Sequence, residues 1–321
     1  MTISSFFKLV EIQTKVASVI PFIFGTSYVL YKFDTFNLSS AILLFLSMLI
    51  FDMTTTAINN YIDYRHAIKK EGYGYESHNA IVRDNLNPKV VRLVIYTMLL
   101  ISSLLGLLLF LSTNIIVLLL GIFCFIIGII YSFGPIPISR TPFGEIFSGL
   151  TMGLLLTFIS IYIHIFDQDI ILLAIDSTHL SVSLNYGVLI SLFIITLPLV
   201  SGIANIMLAN NICDMEDDLH NKRYTLPLFI GKEASIKLFI TLYFIGFGAI
   251  LLGVILGILP WVSLITLLTL KPVIDHLNQF KAVQSKEHTF ILAVKNFLIV
   301  NVTYVFTIIL CILCELLANI I

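Results

Sequence analysis

The sequence predicts an all-α membrane protein that crosses the bilayer nine times. Three observations lead there. Charged residues make up 12% of the 321 positions against 58% hydrophobic, with a mean hydropathy of +1.02, whereas a soluble domain carries about 25% charged residues. Apolar runs near the length a membrane crossing needs, about 20 residues, recur along the whole chain. Threading those runs through a bilayer then sends the basic residues almost entirely to one side.

The runs are 12–32, 38–58, 88–111, 114–132, 143–166, 184–210, 234–256, 259–275 and 292–317. The first follows Lys8, carries Lys15 near its start and lacks a small-residue cleavage pattern, so it reads as a span and not as a secretory leader. The second ends in Asn59-Asn60-Tyr61-Ile62-Asp63. Between the fourth and fifth, prolines at 135, 137 and 142 enforce a short, rigid connection carrying Arg140. The fifth contains Gly149 and Gly153 at small-residue helix-contact spacing. An apolar piece at 170–175, after Asp167 and Asp169, reads as surface-lying, because a tenth crossing would spoil the charge pattern. Spans seven and eight are separated by Gly257-Ile258-Leu259-Pro260-Trp261, where proline interrupts the backbone ladder and indole favours headgroup depth.

With the N-terminus inside, the inner segments are the N-terminus, 59–87, 133–142, 211–233 and 276–291. Together with their helix ends they hold seventeen of the eighteen lysines and arginines, Lys32 being the exception. That is the bias expected of cytoplasmic loops. The reading is therefore one transmembrane domain over 1–321 in the cell membrane, N-terminus cytoplasmic and C-terminus outside, with cytoplasmic motif loops at 59–87 and 211–233. A formal net charge of −1 leaves no basic face for nucleic acid. Cys124, Cys311 and Cys314 lie in apolar runs and Cys213 is isolated from the other three, so all four read as small buried hydrophobes.

Two polar stretches carry the chemistry. Asn59 and Asp63 are four residues apart and share a helix face. Asn210, Asp214 and Asp218 make a longer ladder of the same kind, flanked by Asn211 and Asp217. Like carboxylates stacked in this way repel, so something positive must sit between them in the working state. Oxygen donors without histidine or cysteine favour magnesium (Mg2+) or a similar hard ion. Magnesium commonly bridges to a substrate phosphate, so a phosphorylated substrate approached from the cytoplasm is implied. Arg65, Lys69, Lys70 and Arg83 follow the first stretch, and Lys222 and Arg223 the second. As a group they suit an anion, as does Arg140 on its rigid loop; singly, each reads as an inside-loop anchor.

The two motifs, about 150 residues apart, resemble intramembrane polyprenyltransferases of the UbiA superfamily, most of all the MenA branch, the 1,4-dihydroxy-2-naphthoate polyprenyltransferases. Supporting stretches are Asn79-Ala80-Ile81-Val82-Arg83, Gly134-Pro135-Ile136-Pro137 with Gly144-Glu145-Ile146-Phe147-Ser148-Gly149, and Asn221-Lys222-Arg223-Tyr224-Thr225-Leu226. The resemblance implies nine helices around a central cavity, with a prenyl group moving from an allylic polyprenyl diphosphate to an aromatic acceptor. It makes Asn59, Asp63, Asn210, Asp214, Asp217 and Asp218 the magnesium site. Asn60, Asn211, Arg83, Lys222 and Arg223 become substrate contacts, and Arg140 joins Asp63, Asp214 and Asp218 in catalysis. One departure stands out: Lys69 occupies about the place of a further motif-one aspartate, with Glu71 nearby. His66 and His78 are candidate bases for the acceptor hydroxyl. The alternatives are another acceptor, such as 4-hydroxybenzoate, a haem or a sugar, and a cation-coupled transporter in which the aspartates hold the coupling ion.

Overall fold

A computed structural model describes residues 1–66, 79–175 and 178–318. Lys69, Lys70, Glu71 and His78 lie outside the described residues, as does the side chain of His66. The chain divides into two compact units, Met1–Val19 with Ile42–Ser139, and Ile20–Ala41 with Arg140–Ile321.

Among the described residues, eight helices are long and apolar enough to cross a membrane: Ile12–Phe33, Leu38–Arg65, Pro88–Leu111, Ile115–Ser132, Gly144–Ile165, Tyr186–Cys213, Lys232–Ile255 and Phe290–Ala318. They match eight of the nine expected spans, and the protein is a multi-pass membrane protein. The remaining span, expected at 259–275, departs from a plain α-helix. After Pro260 the chain forms a 3-10 helix over Trp261–Thr269, then an α-helix over Leu270–Ala282. Pro272 explains the change. A proline ring clashes with the carbonyl four residues back, but is tolerated in a helix's first turn, where its missing N–H has no intrahelical partner to lose. The α-helix thus starts just before Pro272, and the upstream residues wind more tightly.

The fifth span is also irregular: α over Gly144–Ser148, π over Gly149–Leu155, and α again over Leu156–Ile165. Its glycines do what their spacing predicts. A Cβ on Gly153 would fall 2.5 Å from Val200 Cα, and one on Gly149 would fall 2.9 Å from the Val200 carbonyl. Only glycine lets this segment lie against the Tyr186–Cys213 helix, which carries the second motif at its end.

One element is missing from the all-α expectation. Ile171–Ile175 and Leu180–Leu184 pair as an antiparallel hairpin, with Ile171 opposite Leu184. The piece expected to lie on the surface is therefore a strand. Its partner, Leu180-Ser181-Val182-Ser183-Leu184, alternates apolar and polar residues with the period of a strand.

In the first unit the core gathers around Leu9, Val10, Ala57, Ile81, Val91 and Ile95. In the second, Leu208, Ile212, Phe239, Phe280, Ala293 and Val300 surround the root of the second motif. All four cysteines are free.

Candidate active site

The second motif straddles a helix break. The long helix ends at Cys213, Asp214 adopts φ −98° and ψ 10°, and a short helix resumes over Met215–His220. The four-residue backbone bonds nevertheless continue through the break. Asp214 N–H donates to the Asn210 carbonyl (3.1 Å) and Asp218 N–H to the Asp214 carbonyl (2.8 Å). The ladder read from the sequence is therefore kept in spacing.

The positive charge demanded by that ladder is present. Lys286 Nζ lies 2.5 Å from Asp214 Oδ2 and also donates to Asn210 Oδ1. An ammonium stands where the Asp214 and Asn210 side-chain oxygens converge, so these two residues fit a cation on the geometry of this chain alone. Asp214 is partly accessible, its side chain 22% exposed. Asp217 is exposed on the short helix.

Asp218 is buried, 3% exposed. Its Oδ2 accepts from the Thr225 hydroxyl (2.9 Å), and Arg223 Nε lies 3.4 Å from its Oδ1. A helix cap produces this arrangement. Lys222 takes the left-handed conformation (φ 54°) just past the Met215–His220 helix. Arg223 N–H then reaches back to the Asp218 carbonyl (2.8 Å) and Lys222 N–H to the Leu219 carbonyl (3.3 Å). This paired closure is the Schellman arrangement, and it folds Arg223 over Asp218. Burial pushes the Asp218 carboxyl above its usual range; Arg223 and Thr225 oppose that shift, Asp214 adds to it, and Lys286 opposes it.

Two further elements meet the second motif. Tyr224 N–H donates to the Arg140 carbonyl (3.0 Å), which ties the proline-bracketed loop to the chain beyond Arg223. Asn211, fully buried, donates from Nδ2 to Glu145 Oε1 (2.8 Å), and Glu145 is itself 3% exposed. Asn210, Asp214, Asp218, Arg223 and Arg140 are thus gathered in one unit, with Asn211 braced from the fifth span.

The first motif lies in the other unit. Helix Leu38–His66 runs on through the motif, so Asn59 and Asp63 remain one turn apart as expected, Asn59 exposed and Asp63 half-buried. Asn60 is buried. Its Nδ2 donates to the Leu9 carbonyl (2.9 Å) and to Glu11 Oε1 (3.2 Å), and its own carbonyl accepts from Asn79 Nδ2 (2.8 Å). It therefore ties the N-terminal segment and the chain re-entering at Asn79 to the motif helix. Arg83 Nε lies 3.2 Å from Asp84 Oδ1, which also receives Lys8 at 3.4 Å. Deeper in the same unit, Lys15, 4% exposed, donates to Asp52 Oδ1 (2.8 Å), the Asp52 carbonyl (3.2 Å) and Thr56 Oγ1 (2.6 Å).

Sequence reasoning passed over Lys286, Glu145 and the Lys15–Asp52 pair as site elements. Lys286 and Lys15 look like inside-loop anchors when charge bias is the question. An aspartate inside an apolar run, however, needs a partner, and Asp52 is such a residue.

Residues 18–291 match the model of the UbiA prenyltransferase family. The 1,4-dihydroxy-2-naphthoate octaprenyltransferase of Bacillus subtilis (strain 168) is 29% identical over 274 residues, covering 83% of this chain and 79% of that protein. The apo structure of a UbiA homolog from Aeropyrum pernix K1 superposes with a TM-score of 0.66 at 16% identity, over 90% of this chain and 97% of that one. A UbiA homolog from Archaeoglobus fulgidus, bound to DMAPP and Mg2+, gives 0.53 at 17% identity, over 95% and 86%. The two structures share the fold, and the family match takes in both motifs and most of the spans between and beyond them: the chain belongs to the UbiA prenyltransferase family.

Proposed function

We propose that this protein transfers a polyprenyl group from an allylic polyprenyl diphosphate to 1,4-dihydroxy-2-naphthoate, with loss of diphosphate and carbon dioxide, giving demethylmenaquinone in its reduced, naphthalenediol form. The similarity to the Bacillus subtilis octaprenyltransferase, which runs through most of both chains, carries the choice of acceptor. In this reading Asp63, Asp214 and Asp218 hold magnesium, with Asn59, Asn210 and Asp217 beside them. Arg140, Arg223, Lys222 and Arg83 serve the diphosphate, whereas Asn60 and Asn211, expected as substrate contacts, have their amides bonded to Leu9, Glu11 and Glu145 and position the motif helices instead. Bound magnesium supplies charge neutralisation of the departing diphosphate. The chain's part is to orient that group and to keep water from the allylic centre, so that the aromatic acceptor remains the available nucleophile. Carbon–carbon bond formation at the carboxylate-bearing carbon then expels carbon dioxide.

The proposal includes nine crossings, N-terminus inside. The 3-10 segment of nine residues and the α-helix of thirteen after it would together extend roughly 37 Å at their usual rises, against a hydrocarbon core of about 30 Å.

Purified protein given magnesium, a polyprenyl diphosphate and a panel of aromatic acceptors should yield prenylated, decarboxylated naphthoate by mass analysis. Product with 4-hydroxybenzoate alone would overturn the acceptor, and no prenylated product with any acceptor would overturn the reaction. A second test separates charge from fold at the cap. Lys222 holds a left-handed conformation that costs a side-chain-bearing residue about 1 kcal/mol or more and that glycine adopts freely. Lys222→Gly should keep or raise the thermal midpoint while raising the KM for the prenyl diphosphate severalfold; an unchanged KM removes Lys222 from the diphosphate site.

A further inference from the structure

We propose that Lys286 is a diphosphate-binding residue that guards the cation seat of the second motif, holding Asp214 and Asn210 in the free protein and passing to the diphosphate when magnesium arrives. The inference rests on the reading of Asp214 as a magnesium ligand.

Lys286 comes from outside both motifs. It sits on the connection between the Leu270–Ala282 and Phe290–Ala318 helices, and that connection is built to present it. Ser285 N–H donates to Thr289 Oγ1 (2.8 Å), while Thr289 and Phe290 N–H both return to the Ser285 carbonyl (3.0 Å each). On the other flank, Gln284 Nε2 donates to the Phe280 (2.6 Å) and Lys281 (2.8 Å) carbonyls. The closed turn leaves Lys286 a short reach to Asp214, with its ammonium 5.1 Å from the centre of the Phe290 ring.

A divalent ion on Asp214 would compete with Lys286 for one carboxylate, and repulsion between the two positive charges would favour release of the lysine from Oδ2. The lysine side chain is 41% exposed and its stem is flexible, so it can turn away without unpacking a core. The ion brings diphosphate with it, and a compact ammonium is a natural partner for phosphate oxygens. The same residue thus opposes the bare metal and favours the metal's substrate complex.

That double action gives opposite signs in one experiment, which a merely structural role would not. Full-length Lys286→Gln and Lys286→Arg proteins in detergent are titrated with Mn2+ by electron paramagnetic resonance in the absence of substrate. Steady-state KM and kcat for the prenyl diphosphate, and thermal midpoints, are then measured. Lys286→Gln should bind Mn2+ severalfold more tightly than wild type, because its competitor is gone. Its KM for the prenyl diphosphate should rise about tenfold or more, the loss of one charge-assisted contact, and Lys286→Arg should recover part of that loss. Unchanged or weaker Mn2+ binding in Lys286→Gln, an unchanged KM, or a parallel fall of both with the thermal midpoint would overturn the proposal. Wild-type protein that neither binds Mn2+ nor turns over would instead overturn the reading of Asp214, and this inference with it.

Discussion

Asp214→Asn is expected to lower prenyl transfer on the order of a hundred- to a thousandfold, the scale on which removal of a single charge-stabilising group acts, with membrane insertion intact. The substitution is nearly isosteric. Asparagine keeps an oxygen that can accept from Lys286, and the main-chain bond from residue 214 to the Asn210 carbonyl does not involve the side chain. It also suits the backbone at this break, φ −98° and ψ 10°, where short polar residues are at home. What it removes is charge. A hard divalent ion draws its affinity from carboxylates, with amide carbonyls as supplementary ligands. The neighbouring Asp218 is itself one of the proposed ligands and its carboxylate is shared with Arg223 and Thr225, so it has no further charge to make up the loss. Asp217→Asn, on an exposed carboxylate, should give a smaller loss. The check is turnover against magnesium concentration for both variants at matched amounts in the membrane; near-wild-type, magnesium-dependent turnover of Asp214→Asn would remove Asp214 from the ligand set.

The parts of this molecule that could be read from its sequence are those fixed by short-range physics. Bilayer thickness sets the length of an apolar run, so eight helices lie where the runs lie. Helical periodicity places Asn59 and Asp63 on one face, and Asn210, Asp214 and Asp218 keep their four-residue bonding even though the helix breaks between them. The misses have local or long-range causes that hydropathy does not register. Pro272 falls inside a run that scores as a span and forces the upstream turns to tighten. Asn60 sits next to the metal-ligand candidate Asn59, but its amide holds the Leu9 carbonyl and Glu11, contacts made from a segment far away in the chain. Lys286 meets Asp214 across 72 positions. A charge census counts Lys286 correctly as cytoplasmic and still says nothing about its partner. Glu145 stood in plain view beside Gly144, yet its role depends on Asn211 being turned toward it.

Asp52→Ala carries the largest expected loss of stability, about 3–5 kcal/mol, the cost of removing one member of a buried ion pair. Against a total folding stability of about 5–15 kcal/mol for an ordinary domain, that is enough to unfold a marginal protein. Lys15 is 4% exposed and its ammonium is satisfied by Asp52 Oδ1, the Asp52 carbonyl and Thr56. With the carboxylate gone, only neutral acceptors face a charge held out of water. The double variant Lys15→Met with Asp52→Leu should recover most of the loss, because the remaining polar groups keep partners. Ser18 Oγ still donates to the residue-15 carbonyl (3.0 Å), and Thr56 Oγ1 to the residue-52 carbonyl (3.1 Å). Thermal unfolding in detergent of both single variants and the double one gives the coupling directly, and a double variant no more stable than Asp52→Ala would show that the pair is not what holds this region. The same series bears on the active site. Asn59 and Asp63 lie about two and three turns beyond Asp52 on the same helix face, so Lys15 braces the helix directly behind the first motif. If prenyl transfer returns with stability in the double variant, the brace needs only shape. If stability returns and transfer does not, the charge pair itself sets the geometry of Asn59 and Asp63.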